Sequence, residues 1–114
     1  MDLIIVRHGK AEDISQKPEG SDFNRSLTDE GVVQVRTMAK ILKGITKYSE
    51  YKNIRIVASS SERTMQSANN ISDILKTAEA IPYDSLYHGD YNALIPDIVS
   101  EHAEADCIIL VGHN

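Results

Sequence analysis

Three short stretches carry side chains that can handle phosphate: Arg7-His8-Gly9, Ser59 with Arg63 four residues on, and Gly112-His113-Asn114. Each follows an apolar run with β-branched residues, namely Leu3 to Val6, Ile54 to Ala58 and Cys107 to Val111. Such runs read as strands of a parallel sheet, the first of them buried on both faces. In open α/β sheets ligands bind beyond the carboxyl ends of the strands. The three stretches should therefore converge. Two arginines, two histidines and the N-terminus of the helix after Ser59 would then form an anion site sized for phosphate, with guanidinium forks and helix amides as donors. Arg63 in a first helical turn opposes the helix dipole, which favours an anion beside it.

The elements between these stretches are legible. Thr28 is a helix N-cap with Asp29 and Glu30 in the first turn. Val32, Val35, Met38, Ala39 and Leu42 then make one apolar face, and Gly44 marks the end, which predicts a helix over 29–43. Ser59 and Glu62 have the spacing of a capping box, followed by Met65, Ala68, Ile71 and Leu75 on the inward face of a second helix. Ala80 to Tyr83 is a short strand that Pro82 confines to an edge. Leu94, Ile95, Ile98, Val99 and His102 form a third helical face, with Pro96 in its first turn. Strands alternating with helices give an α/β fold with a mostly parallel central sheet. Lys10 to Arg25, containing Pro18 and Gly20, is the one candidate lid or specificity loop.

Composition narrows the function classes. The 114 residues suit one domain, at roughly 150 residues per domain. Twelve Lys and Arg against 17 Asp and Glu give a net charge of −5, which argues against nucleic acid as a partner. The apolar runs fall far short of the roughly 20 residues of a membrane helix, and no leader pattern opens the chain. The single Cys107 cannot form an internal disulfide, so a reducing, cytoplasmic setting is expected. No two of the four histidines are three or four residues apart, so neither a metal nor another cofactor is expected. His88, in a turn-like segment, and His102, on an apolar helix face, read as structural.

The chain resembles the histidine phosphatase, or phosphoglycerate-mutase-like, superfamily, and within it the short bacterial phosphohistidine phosphatases. The likeness rests on Leu3 to Ala11 around Arg7-His8-Gly9, on Arg25-Ser26-Leu27-Thr28-Asp29-Glu30-Gly31, on Ser59 through Arg63 to Ala68, and on Leu110 to Asn114. It implies a three-layer fold with helices flanking the sheet. It also implies phosphoryl transfer to His8 as nucleophile and then to water, with Arg7, Arg63 and His113 holding the phosphoryl group, and a phosphohistidine protein of a signalling system as substrate. Gly9, Arg25 and Ser59 join the phosphate-binding set. Residue types agree with this chemistry, since a neutral imidazole is a competent nucleophile near pH 7 and flanking arginines disfavour its protonation. Where many relatives place an acidic general acid, this chain has Leu86-Tyr87-His88-Gly89-Asp90, which leaves Asp90 and His88 as candidates. Relatives continue beyond the second histidine. Residues 1–114 are therefore expected to be a single domain lacking its C-terminal part, which would cover one face of the last strand. Two competing functions stand beside this one: a phosphatase of small phosphomonoesters, and a non-catalytic module that binds a phospho-ligand.

Overall fold

The structure, a computed structural model, describes residues 1–13 and 22–113; most of the candidate lid, 14–21, and Asn114 lie outside the described residues. Four strands form one sheet: β1 (Asp2–Arg7), β2 (Ile54–Ser59), β3 (Ile81–Tyr83) and β4 (Cys107–Gly112). Their spatial order is β1-β4-β2-β3, and every neighbouring pair is parallel. The helices are α1 (Asp29–Gly44), α2 (Glu62–Leu75), the single turn α3 (Ser85–His88) and α4 (Tyr91–Glu101), with a 3-10 turn at Thr46–Glu50.

Alternation along the strands sends successive side chains to opposite faces. Ile56, Ala58, Cys107, Ile109 and Val111 meet Ala39 of α1 and Ala68, Ile71 and Leu75 of α2. Val57, Ile108 and Leu110 meet Leu86 of α3 and Ile98 of α4. Two helical layers thus sandwich the sheet. β4 lies between β1 and β2, and all six of its residues are buried.

Several expectations need correction. β1 is an edge strand and is not buried on both faces: Leu3 and Ile5, in register with Ile108 and Leu110, are 37% and 56% exposed. The helices on that side cover β2 and β4 and leave β1 bare. The last strand, expected to have one face uncovered, has all six residues buried. The Ser59 to Glu62 capping box does not form, because β2 continues through Ser59 and Ser61 is the N-cap of α2. Pro96 is the sixth residue of α4 and not a first-turn residue, since that helix begins earlier, capped by Asp90. Pro96 and Asn92 are both exposed, so water can serve the carbonyl that a proline leaves unpaired. The Thr28 cap forms as expected, its hydroxyl accepting from Gly31 N at 3.0 Å.

Candidate active site

The carboxyl ends of β1, β2 and β4 lie side by side. Arg7 pairs with Gly112 across the β1–β4 ladder, and His8 N donates to Gly112 O at 3.2 Å. The chain then turns over α2, where Gly9 N donates to Ser67 Oγ at 3.1 Å and that hydroxyl donates to Arg63 O at 2.8 Å. Small residues are required here by close approach. A Cβ on Gly9 would sit 2.5 Å from Gly31 O, and one on Gly31 would sit 2.1 Å from Lys10 O. This contact seats the loop after β1 on the first turn of α1.

His8 is half-buried, and its Nδ1 lies 2.6 Å from Gly9 O. A carbonyl only accepts, so the proton sits on Nδ1 and Nε2 carries a lone pair. Burial lowers the pKa of His8 from its ordinary 6.5, and the Arg63, Arg7 and Arg25 charges lower it further, against an upward pull from the Gly9 carbonyl. The ring is neutral at pH 7.

His113 is held differently. Its backbone N donates to Tyr91 Oη at 3.1 Å, its Nε2 lies 2.9 Å from Ser59 Oγ, and its Nδ1 lies 3.4 Å from an Arg63 terminal nitrogen. Guanidinium only donates. Nδ1 is therefore the acceptor, and the proton on Nε2 is directed at Ser59. Burial, then the positive charge of Arg63, pushes this imidazole down to about 4. The two rings stand edge to face with centroids 5.5 Å apart.

Arg63 is buried at the start of α2, in a polar cluster with Ser59, Ser61, Thr64 and Ser67. Thr64 Oγ1 donates to Ser59 O at 2.6 Å, which ties the end of β2 to the first turn of α2. Glu62 N, the first amide of α2, donates to Phe23 O at 2.9 Å. That amide is thus taken by the chain's own loop. Arg25 Nη1 donates to Glu12 O at 3.0 Å, and its Nε is 3.2 Å from Asp22 Oδ1. Arg7 is exposed, and among the described residues no hydrogen-bond or ion-pair partner is found for it. A cleft of about 380 Å³ runs past Arg7, His8, Gly9, Lys10 and Arg25. A larger groove of about 520 Å³ beside Asn69, Asp73 and Lys76 contains no histidine or arginine and stands apart from this chemistry.

The structure thus brings His8, Gly9, Arg63, His113 and Ser59 together, with Arg7 and Arg25 lining a cleft beside His8 and Gly9. The two candidate acids differ in place. Asp90 accepts from Asn92 N at 3.0 Å as the N-cap of α4, and a carboxylate holding a helix amide is poorly placed to deliver a proton elsewhere. His88 is exposed, its ring 4.2 Å from that of Tyr87. His102 meets Tyr83 Oη at 2.9 Å, away from the site. Two residues outside the sequence-based candidates also stand here. Asp22 bonds Arg63, and Tyr87 donates its hydroxyl to Asp22 while its ring stands 5.6 Å from that of His113. The only sequence signal for Asp22 is its position three residues before Arg25, and its partner lies 41 residues away.

A sequence model of the histidine phosphatase superfamily (branch 1) matches residues 3–105. The chain belongs to that superfamily. No curated protein matches it. Among solved structures it is similar to the protein histidine phosphatase SixA complexed with tungstate, at 26% identity and a TM-score of 0.80, over 99% of this chain and 69% of that one. SixA from Agrobacterium tumefaciens matches at 20% identity and a TM-score of 0.80, over 98% of this chain and 68% of that one. A phosphoglycerate mutase from Bacillus anthracis matches at 14% identity and a TM-score of 0.74, over 97% and 74%. Superfamily membership and the likeness to SixA support histidine phosphatase activity on a phosphate-bearing substrate. No helix among the described residues is long and apolar enough to cross a membrane. Among those residues no three His, Cys, Asp or Glu are grouped to hold a metal ion.

Proposed function

We propose that the protein is a phosphohistidine phosphatase in which His8 Nε2 takes the phosphoryl group and then yields it to water. The observation that carries this reading is the 2.6 Å contact between His8 Nδ1 and Gly9 O, which fixes the tautomer and leaves Nε2 as the free nucleophilic atom beside the cationic cleft. Arg7, Arg25 and Arg63 neutralise the phosphoryl oxygens as charge spreads over them, and rate comes mainly from positioning and electrostatics. His113 serves as a hydrogen-bond donor once it exchanges Ser59 for a phosphoryl oxygen. Gly9 and Ser59 shape the site rather than react.

The acid side of the site favours phosphohistidine over a phosphomonoester. Asp90 is occupied as a helix cap, and Asp22 is kept ionised by the Tyr87 hydroxyl and Arg63. An alkoxide leaving group needs a proton from a positioned acid. A phosphoimidazole protonated by solvent on its far ring nitrogen leaves as neutral imidazole and needs no acid from the protein. Arg7 at the surface suits a phosphate presented by another protein, and the buried, unpaired Cys107 suits the reducing interior where signalling proteins carry phosphohistidine.

The test is phosphate release from a panel of a phosphohistidine protein, p-nitrophenyl phosphate and sugar phosphates, run with and without a chelator. The expected result is preference for the phosphohistidine protein, unchanged by chelation, with an acid-labile, alkali-stable phosphoryl label trapped on His8 by rapid quench. A label on His88, His102 or a serine of 59–61 overturns the mechanism. Preference for sugar phosphates overturns the substrate class.

A further inference from the structure

We propose that Asp22 is a positioning residue for phosphate binding: its carboxylate joins Arg63 to Arg25 and fixes the turn of Arg63, whose Nε–H is kept without a protein partner for the phosphoryl group. This rests on the phosphatase reading above and names a group which that reading does not use. Asp22 Oδ2 lies 3.2 Å from one terminal nitrogen of Arg63, and Asp22 O accepts from the other at 2.6 Å. The far end of the guanidinium is therefore gripped by a single residue. A planar fork bound at two points cannot rotate about its own axis. Two of its three remaining donors lie along the edge that carries Nε. There one terminal nitrogen reaches His113 Nδ1 at 3.4 Å, while the buried Nε–H has no hydrogen-bond partner. A phosphoryl oxygen would take that Nε–H and displace the long His113 contact on the same edge.

The other carboxylate oxygen, Oδ1, lies 3.2 Å from Arg25 Nε, and Arg25 N donates to Asp22 O at 3.2 Å. Two guanidinium groups drawn to one small anion repel each other, and a carboxylate between them offsets that repulsion. Tyr87 completes the arrangement by donating its hydroxyl to Oδ2. An inhibitory carboxylate that merely occupied the phosphate position would be held only by the donors a phosphate takes. Asp22 is held in addition by the Tyr87 hydroxyl on its carboxylate and by the Arg25 amide on its carbonyl oxygen, so it is built into the wall of the site.

The experiment is a double-mutant cycle read by calorimetric binding of inorganic phosphate to the unsubstituted protein, Asp22→Asn, Arg63→Ala and the pair. Asp22→Asn keeps the shape of the side chain and should weaken phosphate binding about ten-fold, as loss of a charge-assisted contact does. In the Arg63→Ala background the same change should matter less than about two-fold, because a residue acting through Arg63 has nothing left to position. Tyr87→Phe leaves every backbone contact in place and should weaken binding about three-fold, which keeps the test sound if Asp22→Asn folds poorly. Equal losses from Asp22→Asn in both backgrounds would mean a purely structural role and overturn the proposal. Tighter phosphate binding by Asp22→Asn would mean the carboxylate competes with phosphate and overturn it as well. Turnover of p-nitrophenyl phosphate by the unsubstituted protein and by His8→Ala is scored separately. Turnover that does not depend on His8 defeats the phosphatase reading while the binding cycle still judges Asp22.

Discussion

The end of β1 and the end of β4 each present a histidine to the same spot, yet the two rings are held in opposite ways. His8 carries its proton on Nδ1, has one ring nitrogen engaged by the adjacent carbonyl, and among the described residues has no partner on the other. His113 carries its proton on Nε2 and has both ring nitrogens engaged, by Ser59 and Arg63. Their arginines divide in the same way: Arg7 beside His8 is exposed, whereas Arg63 beside His113 is buried in a polar network. A group that attacks needs an unoccupied lone pair and access. A group that orients charge needs its donors fixed before the substrate arrives. The β1 end thus has the properties of the reacting side, and the β4 and α2 end those of the positioning side.

The largest expected effect separates the two histidines. His8→Ala should lower turnover at least about a thousandfold, as loss of a nucleophile does, with little change in melting temperature because the ring has one local partner. His113→Ala should lower turnover less and melting temperature more, since it strands Ser59 and one donor of Arg63. Turnover assays with thermal melts of both variants check this. The reverse pattern would break the comparison.

Next come the arginines. Arg63→Ala and Arg7→Ala should each weaken phosphate binding about ten-fold or more, by removing a charge-assisted hydrogen bond of roughly 1.5–3 kcal/mol. Only Arg63→Ala should also destabilise the fold, by about 1–3 kcal/mol, because it empties a buried position and leaves Asp22 O and Oδ2 without that donor. Urea unfolding beside phosphate titration separates the two. An Arg7→Ala variant as destabilised as Arg63→Ala would show that the β1 end is equally tied down.

Gly31→Ala sharpens the picture from outside the site. The added Cβ would meet Lys10 O at 2.1 Å and must push the loop after β1 off α1. A loss of about 1–3 kcal/mol is expected from such overpacking, with turnover falling because Gly9 O, the carbonyl that fixes the His8 tautomer, moves with the loop. Denaturant unfolding and kinetics on the same variant give both numbers.

Which parts of this were legible beforehand follows the range of the interactions. The β1, β2 and β4 runs, the Thr28 cap and the convergence of His8, Arg63 and His113 rest on local pattern plus the parallel-sheet rule, and could be read directly. What escaped depends on distant partners. That β1 is an edge strand follows from the spatial order β1-β4-β2-β3, and its apolar run looks the same whether one face or two are covered. Ser59 has the spacing of a helix cap, but its hydroxyl is engaged by His113, 54 residues away. Asp22 reads as a loop acid until its two arginines and Tyr87, 65 residues on, are brought to it.

The smallest effect expected is on pH dependence, because solvent reaches both rings in part. Burial and arginine charge keep His8 below its ordinary 6.5 and bring His113 down to about 4. Between about 4 and 6.5 the unfolded chain therefore binds a proton at position 113 that the folded chain does not, and position 8 adds to this below 6.5. By linkage, stability rises with pH across that window, and it is lost as the pH falls from 6.5 towards 4. Asp22 acts at lower pH in the same direction: the Tyr87 hydroxyl and Arg63 hold its carboxyl below 3.8, so its stabilisation is present above that value and fades as the pH falls through its lower folded value. Chemical denaturation from pH 4.5 to 8 should show a plateau above 6.5 and a decline below it, and His113→Ala should flatten part of that decline. Activity tracks the other ring. The acid limb of kcat/KM reports the free enzyme, so the rate should hold through pH 6.5 and fall only at more acid values, as His8 takes up a proton on Nε2. An acid limb centred at or above 6.5 would mean that burial and the arginines around His8 do not depress its pKa, and the β1 end would lose the property that makes it the attacking side.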